Sequence, residues 1–218
     1  MKIKILYEYS HFKNVNIFIL SIKDNINLVN YSLIPKKQIR DINLYDKTLD
    51  RHKRLISRAF LFEYCNDRYN VNDFSFEYTD IKRPKFHNSL IDFNISYSKD
   101  IIVVAIAHGN RRVGVDIEYI NKSFDIESTA SLFMHNDELD FFNDIILNNE
   151  KNNFYYNVWT QKEAYLKRTG QGLYQDPKQI LTFEKWFKDF SNYFIYENYF
   201  ISVNMADNSN IKCDFLKM

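Results

Sequence analysis

Two short segments hold the residues best suited to chemistry: GVDIE at 114–118 and WTQKEAYLK at 159–167. Read as a strand, VDIEY alternates, so Asp116 and Glu118 point to one face, roughly 6–7 Å apart along it, while Val115, Ile117 and Tyr119 point to the other. Read as a helix, the second segment puts Glu163 and Lys167 one turn apart on one face, with Thr160 and Gln161 on the turn before. Trp159 and Leu166 lie on a flank that should be buried. Clustered carboxylates suit a hard cation such as Mg2+, which keeps waters and phosphate oxygens around it and needs only two or three protein oxygens. Three basic sets could grip phosphate if the fold gathers them: Lys36, Lys37 and Arg40; His52, Lys53 and Arg54; and Lys82, Arg83 and Lys85 around Pro84. The expected chemistry is magnesium-dependent transfer of a phosphate-linked group. Taken singly, each pattern also fits a solvated strand edge, a salt-bridged exposed helix or a surface charge cluster, so the expectation rests on their joint occurrence.

The elements that must position these residues follow from hydrophobic periodicity. Ile3, Ile5 and Tyr7 alternate with their neighbours, and NVNIFILSI follows at 14–22, which predicts two paired strands. From Lys47 to Cys65, apolar residues including Leu55, Ile56, Ala59, Phe60 and Phe62 recur at three- and four-residue steps, predicting a long amphipathic helix. After Pro84, FNISYS at 93–98 leads into the very apolar IIVVAIA at 101–107, a predicted central strand. His108-Gly109-Asn110 is predicted to turn into a partner strand, VGVDIEYI at 113–120. Helix signals run from about Ile126 to Ile146 and again through 154–169, stopped at Gly170, before a last strand, NYFISVNMA, at 198–206. The fold class predicted is α+β in two similar halves, 1–112 and 113–218, each a small antiparallel sheet with a long helix. All four glycines, at 109, 114, 170 and 172, sit beside the two motifs. At 114 a glycine permits close backbone approach, and at 170 it suits the left-handed residue past a helix end.

Composition narrows the class. The chain has 218 residues, 45% of them hydrophobic, enough for one large core or two smaller ones. Its 29 Lys and Arg against 28 Asp and Glu leave a formal charge of +1, so a general nucleic-acid surface is not expected and any phosphate site is local. Cys65 and Cys213 lie far apart with no CxxC pattern, and read as small buried hydrophobes. The N-terminus lacks the continuous apolar core of a secretory signal, and no stretch approaches the ~20 apolar residues of a membrane span, so a soluble cytoplasmic protein is expected.

In this order and at about these separations, the segments resemble the surfactin-type 4′-phosphopantetheinyl transferases, the larger, pseudo-dimeric branch of that family. The family's pattern is a basic segment, a His-basic pair on a helix, a basic-Pro element with FNISHS, then G(I/V)DIE and W(S/T)xKExxxK. The counterparts are Lys37 and Arg40, His52-Lys53, Arg83-Pro84, FNISYS, GVDIE and WTQKEAYLK. The resemblance runs over nearly the whole chain, and the last two motifs are its specific part.

What the resemblance implies is a cleft between two α+β halves, with coenzyme A as donor and a serine of an acyl or peptidyl carrier protein as acceptor. Asp116, Glu118 and Glu163 would hold Mg2+ against the pyrophosphate, and Lys167 would contact the phosphates. Lys53, with Lys37 and Arg40, would lie near the 3′-phosphate and adenosine, and Arg83 and Ser96 would line the same site. Tyr97 stands where the family usually presents a histidine that contacts the 3′-phosphate; its hydroxyl can donate a hydrogen bond but brings no charge. Glu163, or a water it orients, would be the general base. Two internal halves would make a monomer sufficient, and the larger branch points to secondary metabolism. Two other readings stay open: a magnesium-dependent phosphohydrolase using the same carboxylates, and a non-catalytic homologue that still binds coenzyme A or a carrier.

Overall fold

The computed structural model describes residues 3–12, 15–78, 83–87, 89–109 and 111–207. Lys82, Asn110 and Cys213, each part of an expectation above, lie outside the described residues. The chain divides into two compact units, Met1–Gly109 and Asn110–Met218.

In unit 1, β1 (Tyr7–Phe12) and β2 (Val15–Ser21) pair antiparallel as expected, Tyr7 opposite Ile19. Short helices α1 (Ile22–Asn25) and α2 (Lys36–Asn43) precede the long α3 (Thr48–Tyr69). Asn70, in the left-handed conformation at φ 54°, ends α3. A small hairpin follows, β3 (Phe76–Tyr78) with β4 (Pro84–Phe86). Then come β5 (Ile91–Ser98) and β6 (Ile101–His108), joined tightly across Lys99-Asp100. The sheet order is β1-β2-β6-β5. Its interior strand β6 is buried from Ile101 through Ala107, which is why that run is apolar without alternation. The apolar stripe of α3, including Ile56, Ala59 and Phe60, joins Phe18, Phe93 and Val104 of the sheet in one core.

Unit 2 starts with β7 (Arg111–Tyr119). Both neighbours of β6 are already taken by β2 and β5, so β7 is not its hairpin partner; β7 pairs instead with the last strand, β9 (Tyr199–Asp207). The single helix expected over 126–146 is two, α4 (Ile126–Ala130) and α5 (Asn136–Asp144). A capping box of His135 and Glu138 starts α5 afresh. The long helix α6 runs Asn148–Thr169 and stops, as expected, at Gly170 with φ 77°. After α7 (Lys185–Lys188), the strand β8 (Ser191–Tyr196) has no counterpart in the sequence reading. Its turn to β9 places Glu197 at φ 51° without the glycine that usually announces a hairpin.

The two units repeat one topology. In each, a strand is followed by a 22-residue helix and then by a hairpin whose second strand pairs with the first: β2, α3, β5, β6 and β7, α6, β8, β9.

Candidate active site

The site in unit 2 is set by how closely α6 lies on β7. Gly114, Asp116 and Glu118 share one strand face. A Cβ on Gly114 would stand 1.9 Å from the Ala164 carbonyl oxygen and 2.5 Å from the Arg168 nitrogen, so at this point strand and helix backbones meet with no room for any side chain. Val113, Val115 and Ile117, on the other face, are fully buried. Two polar pins hold the helix down. Thr160 and Ser202 hydroxyls share a hydrogen bond at 2.7 Å, and the Arg168 guanidinium donates to the Asn204 side-chain oxygen at 2.5 Å. Ser202 and Asn204 are the β9 partners of Asp116 and Gly114, so the pins flank the motif from the neighbouring strand.

The contact presents Glu163 and Lys167 to the strand carboxylates. Lys167 Nζ donates to Asp116 Oδ1 at 2.6 Å, with Asp116 only 3% exposed. Asp116 is therefore not on the solvated strand edge that its motif alone allowed. Glu163 is held above the usual carboxylate range, first by burial and then by the Asp116 carboxylate, with Lys167 opposing. Glu118 sits at the rim of a hollow of about 560 Å³, walled by Phe124, Phe133, Tyr155, Tyr156 and Trp159. Burial pushes the Tyr155 and Tyr156 hydroxyls up, and the nearby Glu118 charge adds to the effect.

Among the described residues, no group of three or more His, Cys, Asp or Glu stands arranged as a metal cage. The donor set nevertheless fits a hard cation in kind: it offers carboxylate oxygens, Glu163 being raised first by burial and then by the neighbouring Asp116 carboxylate, with the Lys167 ammonium as counter-ion to Asp116.

The other lysine of WTQKEAYLK has a different task. Lys162 is fully buried, paired with the equally buried Glu138 at 2.5 Å, and donates to the carbonyls of Phe133 and Pro177. Glu138 also accepts from the Thr182 amide and hydroxyl and from the His135 amide, so the pair ties α5 and the 177–182 segment to α6. Composition alone does not find this pair; the capping box at His135 was the available signal.

Unit 1 holds the remaining candidates. Lys37 and Arg40 are exposed on α2, and Lys53 lies on α3, 3.9 Å from Asp50. Both terminal nitrogens of Arg83 donate to the Asp92 carboxylate at 2.6 Å, and one also donates to the Phe93 carbonyl. Ser96 and Tyr97 are consecutive on β5, with Ser96 buried and the Tyr97 hydroxyl sharing a hydrogen bond with Ser57 at 2.9 Å. Two arginines of α3 border Tyr97: Arg54, from the second of the basic sets, and Arg58, which carries no role from the sequence.

The family profile of the 4′-phosphopantetheinyl transferase superfamily matches residues 112–214, the segment that carries both motifs. Over that segment the chain is similar to the 4′-phosphopantetheinyl transferase superfamily. Among curated relatives it is 32% identical over 102 residues to the 4′-phosphopantetheinyl transferase HetI of Nostoc sp., covering 45% of this chain and 42% of the relative. It is 30% identical over 145 residues to the 4′-phosphopantetheinyl transferase gsp of Aneurinibacillus migulanus, covering 66% and 59%. To the 4′-phosphopantetheinyl transferase Sfp of Bacillus subtilis it is 24% identical over 160 residues, covering 71% and 67%. The match thus spans about half the length of the first two of these transferases, 42% and 59%. Gly114, Asp116, Glu118, Glu163 and Lys167 all lie inside the matched segment.

Proposed function

We propose that the protein transfers the 4′-phosphopantetheine group from coenzyme A to a serine of an apo acyl or peptidyl carrier protein, releasing adenosine 3′,5′-bisphosphate. The observation that carries this reading is the gathering of Asp116, Glu163 and Lys167 across the side-chain-free contact at Gly114. Asp116, Glu118 and Glu163 would hold Mg2+, and the chemistry a bound Mg2+ supplies is neutralisation of charge on the pyrophosphate oxygens.

The chain's own residues account for the rest. Serine is a poor nucleophile until its proton is taken, and Glu163, whose carboxyl is held above the usual range by burial and by Asp116, would serve as the base. The serine oxygen attacks the phosphorus nearer pantetheine, and the bond from that phosphorus to the bridging oxygen breaks. Lys167, positioned against Asp116, would meet the negative charge that builds on the departing phosphate. The apolar hollow beside Glu118 would seat the pantetheine arm and keep water from the phosphorus. In unit 1, Lys37, Arg40, Lys53, Ser96 and Tyr97 are assigned to the adenosine and its 3′-phosphate. Arg83 is assigned there through its hold on Asp92 and β5. No helix among the described residues is long and apolar enough to cross a membrane. Work as a cytoplasmic monomer in secondary metabolism completes the proposal.

The test is incubation with coenzyme A, Mg2+ and a panel of apo carrier proteins, read by intact mass. The transferase reading requires one phosphopantetheine added to the carrier. Phosphate release without a carrier would point to a phosphohydrolase, and coenzyme A binding without either product to a non-catalytic homologue.

A further inference from the structure

In unit 2, β8 is an open sheet edge beside an apolar groove. The sheet order is β7-β9-β8, so among the described residues no strand pairs with the outer side of β8. Its hairpin with β9 closes on Tyr196 and Tyr199, and the Met205 amide donates to the Phe190 carbonyl at 2.8 Å. Antiparallel bonding alternates along a strand, so Asn192, Phe194 and Tyr196 turn their backbone groups to β9 while Tyr193 and Ile195 turn theirs outward. The Asn192 side chain takes up the Tyr193 amide at 2.8 Å, which leaves the Tyr193 carbonyl and both backbone groups of Ile195 to a neighbour. The edge is not blunted. SNYFIY has no lysine, arginine or proline and its register with β9 is unbroken, whereas the edge strand β1 of unit 1 carries Glu8 and an irregularity between Tyr9 and Phe12.

Tyr193 lies opposite Ser202, which bonds to Thr160, so the side chains of Tyr193 and Ile195 fall on the sheet face that α6 covers. With Phe141, Ile145 and Phe154 they wall a hollow of about 410 Å³. A second hollow of about 370 Å³ adjoins it through Phe154 and Tyr193 and reaches Phe183 and Lys188. The rings of Phe141, Phe154 and Phe183 hold one another at 4.9, 5.9 and 6.0 Å, so the floor is built before any partner arrives. Phe141, Tyr193 and Ile195 are nevertheless 52%, 50% and 49% exposed, a contiguous apolar surface of the kind that marks an interaction site. The rim beside α5 is acidic. Asp140 and Asp144 stand one turn apart next to Phe141, Glu150 lines the first hollow, and all three are exposed without an ion-pair partner among the described residues. Lys188 borders only the second hollow. A second copy of the chain does not suit this rim, because it would bring an uncharged β8 and the same three carboxylates.

We infer that this groove docks an extended basic segment of another protein. The segment adds to β8 as a further strand, seats alternate apolar side chains against Phe141, Phe154 and Ile195, and answers Asp140, Asp144 and Glu150 with lysine or arginine. Main-chain bonds to the edge then supply affinity, and the groove with its acidic rim supplies selectivity. The inference goes beyond the transfer reaction and does not rest on it.

The probe is a blocked, fluorescent peptide of about seven residues that alternates lysine with isoleucine and phenylalanine, long enough at about 3.3 Å per residue to cover β8. Its binding to the full chain is measured by anisotropy. On wild type, the same peptide with glutamate for lysine should bind at least about 10-fold more weakly, and raised salt should narrow that gap. A form N-methylated on the edge-pairing side should also lose about 10-fold, since it cannot bond to Ile195. Ile195→Lys, which puts a charge on the edge, should weaken the lysine peptide by at least about 10-fold. The combined Asp140→Asn, Asp144→Asn, Glu150→Gln variant should bind the lysine and glutamate peptides alike. These positions are exposed, so thermal unfolding and transfer to a carrier should stay as in wild type. No saturable binding, equal binding of the N-methylated form, or binding indifferent to Ile195→Lys each overturns the inference. Self-association of wild type in sedimentation that Ile195→Lys abolishes also overturns it, making a second copy the occupant. The peptide comparisons on wild type decide the matter even where a variant fails to fold, and loss of the transferase reading leaves them untouched.

Discussion

Replacing Gly114 by alanine adds one methyl group at the tightest point of the candidate site. That carbon would stand 1.9 Å from the Ala164 carbonyl oxygen and 2.5 Å from the Arg168 amide nitrogen. Ordinary carbon–oxygen contacts are about 3.3 Å or longer, so α6 must lift by roughly 1.4 Å. The Ala164 carbonyl and the Arg168 amide are the i and i+4 partners of one helical hydrogen bond in α6, so both face the added carbon and must retreat together. Lifting the helix by that amount stretches the Lys167–Asp116 hydrogen bond, now 2.6 Å, out of bonding range. It also strains the Thr160–Ser202 and Arg168–Asn204 pins. Overpacking of this kind costs about 1–3 kcal/mol, and each buried partner left unsatisfied about as much again. A total near 3 kcal/mol corresponds to a fall in Tm of about 6–12 °C for a chain of this size. Misplacement by about 1 Å at a reacting centre costs on the order of 100-fold in rate. The assay is initial-rate transfer of phosphopantetheine to a carrier, alongside thermal unfolding by circular dichroism. The control is Gly109→Asn, where nothing lies within 4 Å of the added carbon and asparagine tolerates the φ of 82°. Gly114→Ala with turnover within about twofold of wild type and an unshifted Tm would refute the argument that this contact positions Glu163 and Lys167.

Three further outcomes are expected. Glu163→Gln should keep the fold and lower transfer by about 100-fold to 10,000-fold, measured by the mass of the carrier; near wild-type turnover removes Glu163 as the base. Lys162→Met should destabilise unit 2 by about 3–5 kcal/mol, because Glu138 is left as an uncompensated buried charge, and urea unfolding showing less than about 1 kcal/mol would contradict the clamp. Cys65, whose thiol is pushed up to about 12 by burial, should resist iodoacetamide at pH 8.5 in the native state. In urea it should label readily, since an exposed thiol ionises near about 8.5; native labelling at Cys65, located by peptide mass, would contradict its burial.

Much of the architecture was legible because it is written in local patterns. The stripe of Leu55, Ile56, Ala59 and Phe60 announced α3, the unbroken IIVVAIA announced an interior strand, and Gly170 marked the end of α6. What failed was long-range pairing and glycine-free turns. The turn at 108–110 says nothing of which strand β7 joins, and β8 was missed because Glu197 occupies the positive-φ position where glycine would have signalled a hairpin.

The same division runs through the chemistry. By itself the sequence determined which groups exist and in what local phase: two carboxylates on one strand face, a glutamate and a lysine one helical turn apart, and a glycine beside them. Periodicity alone is enough for that, since side-chain direction follows from backbone repeat. Only the tertiary structure decided which of them act together. It brought Lys167 to Asp116 because Gly114 lets helix and strand backbones touch. It withdrew Lys162 into the core with Glu138, committed Arg83 to Asp92, and set Arg54 and Arg58 beside Tyr97. Charge and burial act through space over a few ångströms, and residues that close are seldom neighbours in the chain.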